Sequence, residues 1–143
     1  IYTLSLHDAL PILVILEQAG IPWSTVSSAI GHGITRGGYA AAARLLTDRP
    51  WLTGLVCGND RMAMGAYDAI RERGLRVRED VAVIGIDDQE LIADQVHPAL
   101  TTVALPFEEM GQVAVSHLLD LMAGGEVPAE TLLPGQIIRR SSA

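Results

Sequence analysis

From Leu52 onward the chain alternates short, mainly apolar runs with stretches in which apolar residues recur at helical spacing. Leu52 to Cys57 is one such run, bounded by Pro50 and Gly58, and Val81 to Ile86 is a second. Continuous apolar runs of this length suit strands covered on both faces. Asn59 or Asp60 caps the helix between them, which is expected to reach Arg73 and stop at Gly74. Leu91 and Ile92 fall in a short helical or irregular piece, His97-Pro98 breaks it, and Thr101 to Leu105 reads as a third strand. Phe107 to Met122 carries apolar residues at 107, 110, 114, 118 and 121, with Glu108, Glu109, Gln112 and Asp120 between them. This is the clearest amphipathic helix in the chain. Ala123-Gly-Gly ends it, and Thr131 to Arg139 is a last extended segment interrupted by Pro134-Gly135.

Upstream, Thr35 is positioned to cap a helix over 36–47, whose apolar face takes Tyr39, Ala42, Ala43 and Leu46. The loop before it holds Gly31 and Gly33, and Leu13 to Ala19 reads as the end of a helix stopped by Gly20. Residues 1–12 look foreign to the rest of the chain and resemble translated adapter sequence, so they are set apart from the fold. Strands alternating with helices predict an α/β fold: an open parallel sheet flanked by helices, joined by right-handed crossovers.

Two of the strands end in polar pairs, Asn59-Asp60 and Asp87-Asp88. Ligands of open parallel sheets bind in the crevice at the carboxyl ends of the strands. Asn59 and Asp87 are therefore expected to converge on one pocket, as hydrogen-bonding groups suited to a polyhydroxylated small molecule.

The bulk numbers narrow the choice. A length of 143 residues is about one domain, and 49% hydrophobic with 19% charged residues is a globular composition. A net charge of −7 argues against this segment gripping phosphate backbones. Cys57 is the single cysteine, which excludes an internal disulfide, and its apolar surroundings predict an inert buried thiol. No apolar stretch is long enough to span a membrane, and the N-terminus lacks the layout of a signal peptide.

Chemistry of other kinds finds no footing. Gly31-His-Gly33-Ile-Thr-Arg36-Gly-Gly38 fails the dinucleotide fingerprint, because Arg36 stands where the third glycine belongs, and it reads as a flexible loop. Asp87 and Asp88 are adjacent in extended backbone and would point to opposite sides, so they do not form an acid–base pair. His7, His32, His97 and His117 lack ligand spacing, no Gly-x-Ser-x-Gly elbow is present, and no metal, cofactor or catalytic residue is expected.

The run from Cys57-Gly-Asn59-Asp60-Arg-Met-Ala-Met64-Gly-Ala-Tyr67 to Val81-Ala-Val-Ile-Gly-Ile-Asp87-Asp88 closely resembles the sensor region of the LacI (lac repressor) family of transcription regulators. So do Leu100-Thr-Thr-Val-Ala-Leu-Pro-Phe107-Glu-Glu-Met-Gly and the closing Leu133-Pro-Gly-Gln-Ile-Ile-Arg-Arg-Ser-Ser. The resemblance covers 13–143 and implies part of a type I periplasmic-binding-protein-like sensor: the C-terminal subdomain plus one crossover helix. It implies that Asn59 and Asp87 bind the effector and that Phe107 lines the pocket. Gly33 stands where many members carry an aromatic that stacks on the ligand.

The implied partners are a small-molecule effector, a sugar or sugar derivative, and a second copy of the chain. The family dimerises through the helix after Asn59, where Met62, Ala66, Ala69 and Ile70 form the inward stripe. Met64 and Tyr67 fall on another face and are expected at the dimer interface. Operator DNA would be bound only through a helix-turn-helix headpiece lying outside this sequence, and the regulator would be cytoplasmic. The alternative is a periplasmic sugar-binding protein of a transporter, which shares the fold.

Overall fold

The computed structural model describes residue 15, residues 17–22, 26, 27 and 29–143. The segment 1–12 lies outside these, as do residues 13, 14 and 16 of the helix expected over 13–19.

Among the described residues, seven elements run in order: α1 (Thr35–Asp48), β1 (Gly54–Val56), α2 (Asp60–Glu72), β2 (Ala82–Asp87), β3 (Thr101–Ala104), α3 (Phe107–Met122) and β4 (Gln136–Ile138). They build one sheet in the order β1-β2-β3-β4. β1 and β2 are parallel, with Val56 opposite Ile84, and β2 and β3 are parallel, with Asp87 opposite Ala104. β4 departs from the all-parallel expectation. It runs antiparallel to β3, pairing Ala104 with Gln136 and Thr102 with Ile138. The Pro134-Gly135 interruption delivers the chain to the end of β3 at close range. A β-carbon on Gly135 would lie 2.7 Å from the Val103 side chain, so only glycine makes that approach. The sheet is therefore mixed and open.

The antiparallel return carries the last residues back along the sheet to the starts of β2 and β3. There Ser142, fully buried, donates from Oγ to the Val83 carbonyl (2.6 Å) and accepts from the Thr101 amide (2.8 Å). Its carbonyl takes the Val83 amide at 2.8 Å. A single serine thus fastens two neighbouring strands.

The core lies between the sheet and the α1/α2 pair. Met62, Ala66, Ala69 and Ile70 are buried as their spacing predicted, against Leu45, Leu46, Leu55, Val81 and Val83. α1 and α2 approach backbone to backbone. β-Carbons at Gly38 and Gly65 would overlap the backbones of Met62 and Thr35 respectively, so two glycines set the crossing distance. Thr35 is the first helical residue rather than the cap. Ile34 occupies the cap, where its hydrocarbon side chain makes no hydrogen bond, and its carbonyl accepts the first helical bond, from Gly38 N (2.9 Å). The preceding loop is not a free one: Gly31 is buried, with its carbonyl packed against Gly37.

α3 has the expected bounds, and its apolar stripe lies open. No residue of it is buried, and Phe107, Val115, Leu118, Leu119 and Leu121 each expose more than half of their surface.

The carboxyl edge of the parallel strands as candidate functional site

Asn59, Asp87 and Phe107 follow the carboxyl ends of three adjacent parallel strands. Asn59 lies just past β1, Asp87 closes β2, and Phe107 opens the helix after β3. The topology brings them to one edge of the sheet, and no hydrogen bond joins them.

Asn59 already has local work. Its Oδ1 accepts from the Met62 amide (2.9 Å), a cap that satisfies one of the free donors of α2. Its Nδ2 donates to the Gly33 carbonyl (2.9 Å), tying the α1 approach loop to this edge. Each group keeps capacity in reserve: an amide nitrogen has two protons and an amide oxygen two lone pairs. Gly33 turns at φ +70°, and the glycine leaves the space in front of Asn59 without a side chain.

Asp87 and Asp88 both adopt left-handed backbone, at φ +108° and +54°. Non-glycine residues take this region at a cost, and it persists where the surroundings hold it. The turn is held from three sides. Asp60, the first residue of α2, is fully buried and accepts from the Gln89 amide at 2.7 Å and from the Thr102 hydroxyl at 2.6 Å. The Asp88 amide reaches Thr102 Oγ1 at 3.4 Å. Arg140 pairs with the Asp88 carboxylate at 2.8 Å while also donating to the Leu100 carbonyl. Gln89, fixed by its amide, donates from Nε2 to Asp87 Oδ2 (3.0 Å) and accepts from Arg61 (3.3 Å). Burial raises the Asp60 carboxyl above its ordinary range. The bonds from Thr102 and Gln89 oppose that rise, and the nearby Asp87 and Asp88 charges reinforce it.

The sequence does not single out Asp60, which reads there as an alternative cap. Its partners at positions 89 and 102 come together with it only in the fold. Gly85 is the trace it leaves: a β-carbon there would overlap Asp60 Oδ1.

Phe107 is 58% exposed and, with Leu105, Pro106 and Gln112, borders a wide, shallow depression. Met64 is half-buried on α2. Tyr67 corrects an expectation. It has a core role after all: the ring is 1% exposed and its hydroxyl donates to the Pro98 carbonyl at 3.0 Å. Tyr67 therefore offers almost no surface to a partner. Among the described residues, no group of three or more His, Cys, Asp or Glu side chains could hold a metal, and no helix is long and apolar enough to cross a membrane.

The family description "Periplasmic binding protein-like domain" matches residues 14–143. An HTH-type transcriptional regulator from Streptomyces limosus is 45% identical over 109 residues, 75% of this chain and 30% of the relative. The HTH-type transcriptional repressor PurR of Yersinia pestis is 38% identical over 130 residues, 90% of this chain and 38% of the relative. The Lac repressor bound to ONPG superposes with a TM-score of 0.85 at 31% identity, covering 96% of this chain and 41% of that one. A LacI family regulator from Arthrobacter sp. FB24 in complex with lactose gives 0.78 at 30% identity, covering 98% and 51%. The chain belongs to the LacI family. It falls within the periplasmic-binding-protein-like domain of that family and spans about a third of the length of these two curated relatives. The LacI relatives share the architecture in which β1 to β3 end at one edge.

Proposed function

We propose that this chain is the effector-sensing part of a LacI-type, DNA-binding transcriptional regulator, and that a sugar or related polyhydroxylated molecule binds at the carboxyl edge of β1, β2 and β3. Asn59 and Asp87 hydrogen-bond the ligand hydroxyls, and Phe107 offers an apolar face to the ring. The observation that carries this is the placement of the three residues after three adjacent parallel strands, where open sheets hold their ligands. The spare hydrogen-bonding capacity of Asn59 and the fixed carboxylate of Asp87 suit paired hydroxyls. The relative crystallised with lactose supports the ligand class. Relatives named as transcriptional regulators favour this reading over a transport protein and over an enzyme.

The regulator acts as a cytoplasmic homodimer in this reading, with Met64 on the partner-facing side of α2 and operator DNA held by another part of the protein. Residues 13–143 form the sensor segment and 1–12 stand apart from it. Effector binding changes operator affinity by favouring one sensor conformation, and operator binding changes effector affinity by the same factor. The test is calorimetry on the full-length protein with lactose, ribose and other sugars as probes. One of them should bind, and Asp87→Ala should weaken it by about 1–3 kcal/mol, the loss of charge-assisted hydrogen bonds. Unchanged affinity in that variant overturns the assignment.

A further inference from the structure

We infer that Asp60 is a positioning residue for the effector site, holding the Asp87–Gln89 turn in its left-handed form through the Gln89 amide and Thr102. The inference rests on the reading of Asp87 as a ligand-binding group, and extends the site to a residue that does not itself touch ligand.

Asp60 is a fully buried carboxylate at the start of a helix, yet it does not cap that helix, a task Asn59 performs. Both of its oxygens are directed elsewhere: Oδ1 to the Thr102 hydroxyl, Oδ2 to the Gln89 amide. Through Gln89 the chain of contacts reaches Asp87 Oδ2. The two residues held between these anchors, Asp87 and Asp88, both sit in strained backbone. Thr102 serves twice, donating to Asp60 and lying 3.4 Å from the Asp88 amide. Gly85, two residues before Asp87 on β2, leaves the space that Asp60 Oδ1 occupies. A buried ionised group is costly unless fully hydrogen-bonded, so a site that keeps one uses it to fix geometry. Here the geometry fixed is the direction of Asp87.

Two variants break the arrangement from opposite sides. Asp60→Asn removes the charge and replaces one of the two acceptors with a donor, facing either the Gln89 amide or the Thr102 hydroxyl, and Gly85→Ala pushes a methyl group against Oδ1. Ser142→Ala is the control: it removes an equally buried hydrogen-bonding group at the far ends of the same strands. Amide hydrogen exchange at residues 88 and 89, melting temperature and lactose affinity are read in the full-length protein. Asp60→Asn and Gly85→Ala should each speed exchange at 88–89 and weaken lactose binding about tenfold, the equivalent of one charge-assisted hydrogen bond. Ser142→Ala should lower the melting temperature and leave both readings as they were. Unchanged exchange and affinity in Asp60→Asn, or the same loosening of the turn by Ser142→Ala, overturns the inference. If the unsubstituted protein binds no lactose, exchange alone decides: unaltered 88–89 protection in Asp60→Asn and Gly85→Ala overturns it, while the failure to bind counts against the ligand class.

Discussion

The hydroxyl of Tyr67, inside α2, donates to the carbonyl of Pro98, at the entrance to β3, across 3.0 Å. The bond ties a helix to the loop that feeds the central part of the sheet, and Arg71, one turn on, donates to the neighbouring His97 carbonyl. Tyr67→Phe keeps the buried ring and leaves the Pro98 carbonyl unpaired. It should destabilise the protein by about 1 kcal/mol in urea titration, with the slope unchanged. A loss close to zero would mean that water or another donor already serves Pro98.

The same phenol sets an alkaline limit. Burial pushes its pKa up to about 12, with smaller opposing and reinforcing effects from neighbouring groups. A pKa raised on folding means the native state holds the proton longer than the unfolded chain does. The stability that this contributes is complete below the unfolded value near 10, and is lost as pH rises toward the folded value. Unfolding measured between pH 9 and 12 should show stability falling through that interval, and the Tyr67→Phe protein should show a shallower fall.

Gly65 and Gly38 set how closely α1 and α2 approach, and the obstacles to a larger residue are backbone atoms, which cannot swing aside. Gly65→Ala would gain helix propensity in an isolated peptide. In the folded protein, overpacking should win, at a net cost of about 1–3 kcal/mol. Stability equal to or above that of the parent would show that the helices separate without penalty.

How much of this was legible beforehand depends on whether the signal was local. The bounds of α3 follow from apolar spacing within its own residues, so periodicity places them at Phe107 and Met122. Its exposure depends on what other parts of the chain pack against it, and spacing is silent on that. Asn59 and Asp87 were readable as strand-end residues because a strand end is a local event. Asp60 was not, since its meaning comes from Gln89 and Thr102, and Tyr67 was misplaced because its partner Pro98 lies beyond the intervening strand. The direction of β4 and the role of Ser142 depend on pairing with β3 and β2 across the sheet, a register that the closing Arg-Arg-Ser-Ser does not encode by itself.

Cys57 lies just past β1, buried, its amide bonded to the Ile84 carbonyl at 2.8 Å. Burial pushes its thiol up to about 12. Only the thiolate attacks disulfide reagents, so the native protein at pH 8 should consume none over hours and one equivalent on addition of denaturant. Rapid reaction of the native protein would show that this edge of β1 opens.

The exposed face of α3 makes the last prediction. Met110, Val115, Leu118, Leu119, Leu121 and Met122 lie along a helix with no buried residue, and Leu132 and Ile137 add further exposed apolar surface. Contiguous apolar surface on this scale is rarely left to water and drives association. Residues 1–143 expressed alone should therefore self-associate with rising concentration and bind a hydrophobic dye, both visible by light scattering and fluorescence. Acidic net charge slows encounter between copies but is screened by salt, so association should strengthen as ionic strength increases. Replacing Leu118 and Leu121 with glutamate removes apolar area from the exposed face without touching the core, and should restore a monodisperse species at unchanged unfolding midpoint. A parent chain that stays monomeric at high concentration and high salt would show that α3 is covered by a part of its own chain.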